Sequence, residues 1–313
     1  MSAVLPRALP DALPAGRPRS HPGPLAGPLA GPLPGARFAV GYGTNGFADH
    51  PLDDVVTVLD ALGYRGLALT LGHPHLDPFA PDAVDAAARL RDRLDGLGWR
   101  IVVETGTRYL LDPFRKHRPT LLDDDAAPRE EFLRRAIELG AVLGADCVSL
   151  WSGVLPLGVA PDAAGGRLRE RLAPIVAEAA ASGVPLAFEP EPGMLVETVA
   201  DALALRADLG DPPALGLTVD LGHCVVVEPD GVEGALRAAG PLLRNVQVDD
   251  MLPDAHDHLE LGHGSLDLAA ALRTLEELDY RGLAAVELPR HAHDAPGVAA
   301  RSMSALHDAW EAR

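Results

Sequence analysis

The sequence predicts an α/β fold, a single (β/α)8 barrel, from the order and the number of its elements. From Arg37 onward, short runs of small, β-branched and aliphatic residues alternate with longer amphipathic stretches, a pattern typical of repeated βα units. Eight such strands, each followed by a helix, fit the roughly 250 residues that a barrel needs. An open doubly wound sheet is the alternative, but no Gly-x-Gly-x-x-Gly follows the first strand, and residues 41–46 have the wrong glycine spacing.

Each element is placed by its own pattern. The strands are predicted at 38–42, 66–70, 100–104, 147–151, 185–189, 215–220, 245–249 and 282–287. The first helix is indicated by Val55, Val58, Leu59 and Leu62, which form one apolar stripe. Further helices are predicted at 82–97, 128–143, 162–182, 196–209, 231–239, 266–278 and 296–312. The longest connection, 105–127, has the length of a lid or a disordered insertion, and we expect a lid because it follows a strand.

The first 36 residues predict a disordered, low-complexity tail ahead of a barrel that spans residues 37–313. They hold nine prolines and the near-repeat Gly-Pro-Leu at 23, 27 and 31, which cannot form the continuous helix of an export signal. No run of about 18 apolar residues predicts a membrane span. The two cysteines are too few for a disulfide framework, and we expect a cytoplasmic protein.

The net charge excludes several classes of partner. The formal charge is −18, from 45 acidic and 27 basic side chains, so the surface repels phosphate backbones and anionic lipids. We therefore expect the chain to bind a small-molecule substrate, and neither nucleic acid nor a membrane. Whether it is a monomer or a homo-oligomer stays open. Lys116 is the only lysine, which sets Schiff-base chemistry aside.

Ionisable and amide side chains stand at the C-terminal ends of the predicted strands, where a (β/α)8 barrel builds its active site. Four follow consecutive strands: Glu189, Asp220, Gln247 and Glu287. Any one acid is more simply explained as a helix cap or an arginine partner, but three carboxylates in one small volume repel one another, and a divalent cation relieves that repulsion. Oxygen ligands favour Mn²⁺ first, with Mg²⁺, Co²⁺ or Zn²⁺ as alternatives.

A second set of side chains is expected to contact the substrate at the same end of the barrel. The histidines could bind further metal, hydrogen-bond hydroxyl groups or move protons. Trp151 could stack on the apolar face of a ring, although it could equally fill the barrel. Arg108 or Arg115, in the loop after the third strand, could bind a phosphate or carboxylate if the substrate has one. The candidates are His223, His256, His258, Trp151, Glu104 and Arg108.

Five segments resemble the xylose isomerase-like barrel superfamily, and within it the sugar phosphate isomerase/epimerase group. The resemblance covers residues 38–310 and is most specific in the second half. The segments are Phe188–Glu191, Thr218–His223, Asn245–Asp249, His258–Gly264 and Tyr280–Glu287. The resemblance implies a TIM barrel whose metal is held by the four strand-end residues, with Glu189 and Glu287 also serving as acid and base.

Two positions refine the resemblance. Many members have histidine where Gln247 stands, whereas the hydroxypyruvate isomerase branch is similar to this sequence in using glutamine. Endonuclease IV, a relative with three zincs, has a histidine after its third strand where Glu104 stands here, and an Asp-x-His where residues 256–258 read His-Asp-His. We therefore do not expect a trinuclear nuclease site.

The expected activity is isomerisation or epimerisation of a sugar, or of a sugar-like polyol ketone, by proton transfer through a metal-stabilised enediolate. Which glutamate is the base stays open. Glu189 is preferred to Glu191 as the ligand because it ends the strand, and Pro190 is expected to turn Glu191 outward. The alternatives are a metal-dependent cyclitol-ketone dehydratase and a non-catalytic barrel subunit with a structural metal.

Overall fold

The computed structural model describes residues 33–313 and confirms the predicted barrel. Eight parallel strands close into a barrel in the order β1-β10-β7-β6-β5-β4-β3-β2. The predicted tail lies largely outside the described residues. Its last four residues do not extend from the barrel, since Leu33 is buried and the Trp310 indole N–H donates to the Pro34 carbonyl oxygen at 3.0 Å.

Strands and helices alternate around the barrel, with one added hairpin and one added helix. The barrel strands are β1 (Ala39–Gly43), β2 (Gly66–Thr70), β3 (Arg100–Glu104), β4 (Val148–Leu150), β5 (Leu186–Phe188), β6 (Leu215–Asp220), β7 (Leu243–Val248) and β10 (Leu283–Val286). The helices are α1 (Leu52–Ala61), α2 (Ala83–Leu97), α3 (Ala127–Leu143), α4 (Pro161–Ser182), α5 (Val199–Asp208), α6 (Leu221–Val227), α7 (Gly231–Ala239), α8 (Leu268–Glu277) and α9 (Ala295–Ala312). None of the described helices is both long and apolar enough to cross a bilayer.

The hairpin and helix α6 were not predicted. The hairpin pairs β8 (Asp250–Leu252) with β9 (Ala255–Leu259) in antiparallel register, on the connection between β7 and α8. Helix α6 begins directly after β6, with the Asp220 carboxylate accepting a hydrogen bond from the His223 N–H at 2.8 Å. Both elements lie at the C-terminal end of the barrel and bring histidines toward its axis.

Apolar side chains fill two regions, one between the strands and the helices and a smaller one inside the barrel. The inner region holds small residues and Leu283, which is fully buried. A Cβ atom at Gly41 or Gly66 would lie only 2.7 Å or 2.2 Å from the Leu283 Cδ1 atom, so glycine at both positions makes room for this side chain. Apolar packing thus closes the end of the barrel where the strands begin, and polar residues occupy the other end.

Candidate active site

A cavity of about 320 Å³ opens at the C-terminal ends of the strands, which is at the small end of the range for ligand sites. Every residue that the sequence assigned to the site lines it, except Asp220 and Arg115, the alternative to Arg108. Asp220 is 1% exposed, and its carboxylate lies within 4.8 Å of ligand atoms of Glu189 and His223. The structure therefore brings the predicted side chains into one region.

Glu189 and Glu287 are placed by the barrel ladder itself. The Glu189 N–H donates to the Leu150 carbonyl at 2.8 Å, and the Glu287 N–H donates to the Val248 carbonyl at 3.1 Å. Each residue thus continues a parallel ladder one step past its strand and carries its side chain to the barrel mouth. Burial, together with repulsion from Glu287, raises the pKa of Glu189 well above its ordinary value.

The two glutamates have different hydrogen-bond partners. Glu189 accepts a long 3.4 Å hydrogen bond from the Ser149 hydroxyl group, and its other oxygen lies 3.7 Å from the His223 Nδ1 atom. Glu287 accepts from the Asn45 amide at 2.7 Å, while its Oε2 atom is buried without a hydrogen-bond partner. Burial and nearby Glu104 raise the pKa of Glu287 well above its ordinary value. In each carboxylate, one oxygen accepts a hydrogen bond from a neighbouring side chain, and the other oxygen accepts none.

Asp220 remains the most acidic carboxyl group of the set. Burial alone raises its pKa, but His223 and His258, with the hydrogen bond from the His223 N–H, bring the pKa of Asp220 below its ordinary value. Its Oδ1 atom accepts that hydrogen bond, and its Oδ2 atom is buried without a partner.

Gln247 is oriented by Glu104. The Gln247 amide nitrogen donates to the Glu104 Oε1 atom at 3.2 Å, which leaves the amide oxygen buried and without a donor. Burial and repulsion from Asp220 raise the pKa of Glu104 to about 7. Glu104 therefore contacts a predicted ligand as well as lining the cavity.

The oxygen atoms of these side chains fit a divalent cation. Asp220, Gln247 and Glu287 each keep one buried oxygen without a hydrogen-bond partner, and they come from β6, β7 and the end of β10. Buried, unpaired oxygens cost free energy, and a hard or borderline cation satisfies several at once. Within residues 33–313, however, the groups of three close ligand atoms built from His, Cys, Asp and Glu do not include Glu287.

Three histidines form a cluster beside the carboxylates. His256 and His258 alternate along β9, so that both side chains point to the same side, toward His223 on α6. The His256 and His223 Nε2 atoms are 3.0 Å apart, and the three side chains offer ligand atoms within 4.8 Å of one another. Burial lowers the pKa of His223 to about 4, which keeps its ring neutral, the form that binds metal.

Asp249 is a residue of the site that the sequence did not assign. It is fully buried, its Oδ1 atom accepts from the Gly222 N–H at 3.1 Å, and its Oδ2 atom contacts the His258 Nδ1 atom. Burial and repulsion from Asp220 raise the pKa of Asp249 well above its ordinary value. Position 222 requires glycine, since a Cβ atom there would lie 2.2 Å from the Asp249 carboxylate.

The expectation that Glu191 points outward is wrong. The Glu191 N–H bonds to the Val196 carbonyl at 3.2 Å, so the chain after Pro190 turns back, and Glu191 lines the cavity. Burial raises the pKa of Glu191 to about 7, and its carboxylate lies 4.0 Å from the His256 Nε2 atom. Both glutamates of the Phe-Glu-Pro-Glu segment therefore face the cavity.

The loop between β3 and α3 forms one wall of the cavity and is anchored by a buried side chain of α3. The buried Arg129 side chain donates to the carbonyls of Pro119, Thr105 and His117, at 2.9, 3.0 and 2.8 Å. Its guanidinium also lies 4.6 Å from the centroid of the Trp151 ring. The loop is thus an anchored wall rather than a segment held only at its ends.

The loop cations differ in their positions. Arg108, Lys116 and His117 line the cavity, whereas Arg115 pairs with Asp112 at 2.7 Å and does not line it. Of the two arginines proposed from the sequence, the structure places only Arg108 on the cavity wall. Lys116 was considered in the sequence only as an imine-forming residue.

Comparison with solved structures finds the same barrel in two sugar epimerases and in a protein with a bound zinc atom. L-ribulose 3-epimerase superposes with a TM-score of 0.69 at 20% identity, covering 88% of this chain and 96% of that one. The 3-keto-D-glucoside 4-epimerase of E. coli gives 0.69 at 17% identity, covering 87% and 99%. The IolI protein, solved with a bound zinc atom, gives 0.69 at 15% identity, covering 88% and 99%. At these identities the likeness shows the fold.

Sequence comparison gives the family directly. No curated protein sequence matches this chain. Residues 56–309, which run from α1 into α9, match the family described as xylose isomerase-like TIM barrel. The chain belongs to the xylose isomerase-like TIM barrel family.

Proposed function

We propose that this chain is a divalent-metal-dependent isomerase or epimerase that acts on a sugar or a sugar-like polyol ketone. The observation that carries the proposal is the set of buried oxygens without hydrogen-bond partners on Asp220, Gln247 and Glu287, next to the buried carboxylate of Glu189. The epimerases with the same barrel support the class of reaction.

The proposed cation ligands are Glu189, Asp220, Gln247 and Glu287. A cation held there would polarise the carbonyl group of the substrate and stabilise the negative charge of an enediolate. Carboxylates and an amide favour Mn²⁺ or Mg²⁺ over Zn²⁺. Because IolI was solved with zinc, and three imidazoles lie nearby, the assay must include Zn²⁺.

Glu189 and Glu287 are the proposed acid and base. Burial raises the pKa of both groups in the absence of a cation, and a cation bound beside them would favour the carboxylate form that accepts a proton. The Ser149 hydroxyl group on β4 and the Asn45 amide in the turn after β1 orient the two carboxylates. If the proton returns to the neighbouring carbon the result is an isomer, and if it returns to the opposite face of the same carbon the result is an epimer.

The rest of the cavity is suited to a polyhydroxylated molecule. Glu191, Glu104 and the His256 ring provide hydrogen-bonding groups along the wall, and Trp151 presents part of its ring. Arg129 lies against that ring, which fixes its plane. We assign these residues, with His223, His258 and Arg108, to substrate contact.

Metal analysis tests the ligand set. Glu189→Gln and Asp220→Asn remove one carboxylate each, and we expect each to lower the affinity for Mn²⁺ by at least about tenfold, because a charged ligand is lost. Glu233→Gln is the matched control, since Glu233 is distant from the site and pairs with Arg273. Undiminished metal content in both site variants would contradict the proposal.

Solvent exchange tests the reaction. With ketoses in D2O, we expect deuterium to appear at a carbon next to the carbonyl, and Glu189→Gln or Glu287→Gln to slow this by about 10²- to 10⁴-fold. Loss of water from a cyclitol ketone would instead indicate the dehydratase. A protein that binds metal but turns over neither a ketose nor a cyclitol ketone would be the non-catalytic barrel.

A further inference from the structure

Two cationic side chains of the cavity differ from most others in the described residues because they form no ion pair with a carboxylate. Among residues 33–313, every lysine or arginine side chain lies within 4.0 Å of a carboxylate oxygen, with four exceptions. The exceptions are Arg108, Lys116, Arg129 and Arg244. Arg129 binds loop carbonyls, and Arg244 lies at the opposite end of the barrel. The remaining two both line the cavity, although the chain carries a net charge of −18.

The two cations stand near a third at the mouth. Arg290 also lines the cavity, and it pairs with Asp257 on the hairpin. Burial lowers the pKa of Lys116, and repulsion from Arg108 and Arg290 lowers it further, while Glu191 raises it. Like charges gathered at one opening repel one another, and a bound anion would remove that repulsion.

The backbone of the loop is held in an unusual shape where these cations stand. Arg108 and His117 have positive φ angles of 47° and 63°, which are costly for residues other than glycine. The Arg108 N–H donates to the His117 Nδ1 atom at 3.0 Å, and Arg129 binds the His117 carbonyl. The strained turn places Arg108 and Lys116 on the cavity wall and is fastened there by buried contacts.

The floor and the mouth of the cavity have opposite charge. Glu189 is buried and Glu287 is partly buried, whereas Arg108, Lys116 and Arg290 are exposed, so the two carboxyl groups lie deeper in the cavity than the three cations. An anionic group on a ligand is repelled by the floor and attracted by the mouth, so the charge pattern orients such a ligand with its anion outward.

We propose that Lys116 and Arg108, beside Arg290, bind an anionic group of the substrate, a phosphate or a carboxylate, at the end remote from the reacting carbon. This inference rests on the proposed function and gives its substrate class, an anionic ketose. Lys116 and Arg108 lie in the first half of the barrel, outside the segments that resemble known isomerases.

Three matched sugars test the proposal: D-fructose, D-fructose 6-phosphate and D-fructuronate, which differ only at carbon 6. Calorimetric titration into the Mn²⁺-loaded protein should show at least one anionic sugar binding about tenfold more tightly than D-fructose. Comparison of D-fructose 6-phosphate with D-fructuronate shows whether the site prefers a phosphate or a carboxylate. Lys116→Met should bring the ratio of the affinity for the anionic sugar to the affinity for D-fructose close to one, and Lys116→Arg should keep most of that ratio.

Matched variants guard against indirect effects. Arg115→Met removes another exposed charge from the same loop, outside the cavity, and should leave the preference intact. Arg108→Met should reduce the preference and serves as the second variant if Lys116→Met unfolds. The preference in the wild type should also weaken as salt is raised.

Several results would overturn the proposal. Equal binding of the three sugars would contradict it. Tighter binding of the anionic sugars that persists in both Lys116→Met and Arg108→Met would also contradict it, since the metal would then be what binds the anion. If none of the sugars binds, inorganic phosphate is titrated instead, and no binding, or equal binding to the wild type and Lys116→Met, counts against the anion site. Failure of deuterium exchange with all three sugars contradicts the proposed function but leaves the affinity comparison decisive.

Discussion

At the scale of single residues, the site depends on which way one amide points. Gln247 can offer either an oxygen or a nitrogen to the barrel axis, and only the oxygen suits a cation. Glu104 accepts from the nitrogen at 3.2 Å, and the oxygen is left buried and without a hydrogen-bond donor, available to the proposed cation. A residue expected to contact substrate thus also acts as a positioning residue.

Two substitutions at position 104 separate orientation from charge. Glu104→Gln keeps an oxygen that can accept from Gln247, so we expect the affinity for Mn²⁺ to stay within a few-fold of the wild type. Glu104→Leu removes the acceptor, and we expect about a tenfold loss, the usual effect of losing an outer hydrogen bond to a ligand. Calorimetric Mn²⁺ titration checks both. Equal losses in the two variants would show that the charge of Glu104 matters, not its hydrogen bond.

The sequence predicts the residues at strand ends but not those that reach the site by other routes. Glu189 and Glu287 could be found because they directly follow buried apolar runs. Asn45 lies in a short 3₁₀ turn after β1, and a turn-like Thr-Asn-Gly sequence says nothing of a contact with residue 287. Glu191 was misjudged because a hydrogen bond to Val196, invisible in the sequence, reverses the chain.

At the scale of elements, helix α3 stabilises the wall of the cavity through one side chain. Arg129 lies in the first turn of α3, is 3% exposed, and has its hydrogen bonds to the loop rather than to a carboxylate. Burial lowers its pKa to about 9. The Arg129 guanidinium therefore connects α3 to both the start of the loop, at Thr105, and its later part, at His117 and Pro119.

Removing that guanidinium should loosen the loop as a unit. Arg129→Met leaves several buried carbonyl groups without a donor, and we expect a loss of about 3 kcal/mol in the free energy of unfolding. Faster proteolysis between residues 105 and 126 should accompany it. Arg135→Met, on the same helix, removes an exposed pair with Glu131 and should cost no more than about 0.5 kcal/mol. Urea unfolding and limited proteolysis measure both, and similar losses in the two variants would argue against the anchor.

The strands were predicted more accurately than the connections. Residues 66–70, 100–104 and 215–220 form strands with the predicted bounds, because a strand that is buried on both faces shows as a continuous apolar run. Helix α6 was missed since its seven residues, Leu221–Val227, lack a polar face and read as strand-forming. The hairpin was missed because residues 255–259 are half-buried and mostly polar.

At the scale of the whole molecule, the proposed metal site would be coupled to the stability of the fold. Buried carboxylates that repel one another weaken the folded state, and any cation that binds only the folded chain stabilises it. The number and order of βα units were enough to predict the barrel. The contact of residues 33–36 with α9 could not be predicted, because composition alone does not reveal where a proline-rich segment meets the barrel.

Removal of metal should therefore lower thermal stability. At a Mn²⁺ concentration a hundred times Kd, binding adds roughly 2.7 kcal/mol, and we expect chelation to lower Tm by about 5–8 °C. Differential scanning calorimetry with and without chelator measures this. Asp220→Asn, with its weaker binding, should show at most about half of this response at the same Mn²⁺ concentration, whereas an equal response in that variant would place the stabilising cation elsewhere.

The packing of Leu283 against Gly41 and Gly66 has a consequence for how substrate enters and product leaves the proposed active site. Within residues 33–313 a fully buried leucine closes that end of the barrel, so the reactant and product of the proposed reaction should both pass the opening bordered by Lys116. A departing molecule must clear this passage before the next one enters, so product should act as a purely competitive inhibitor.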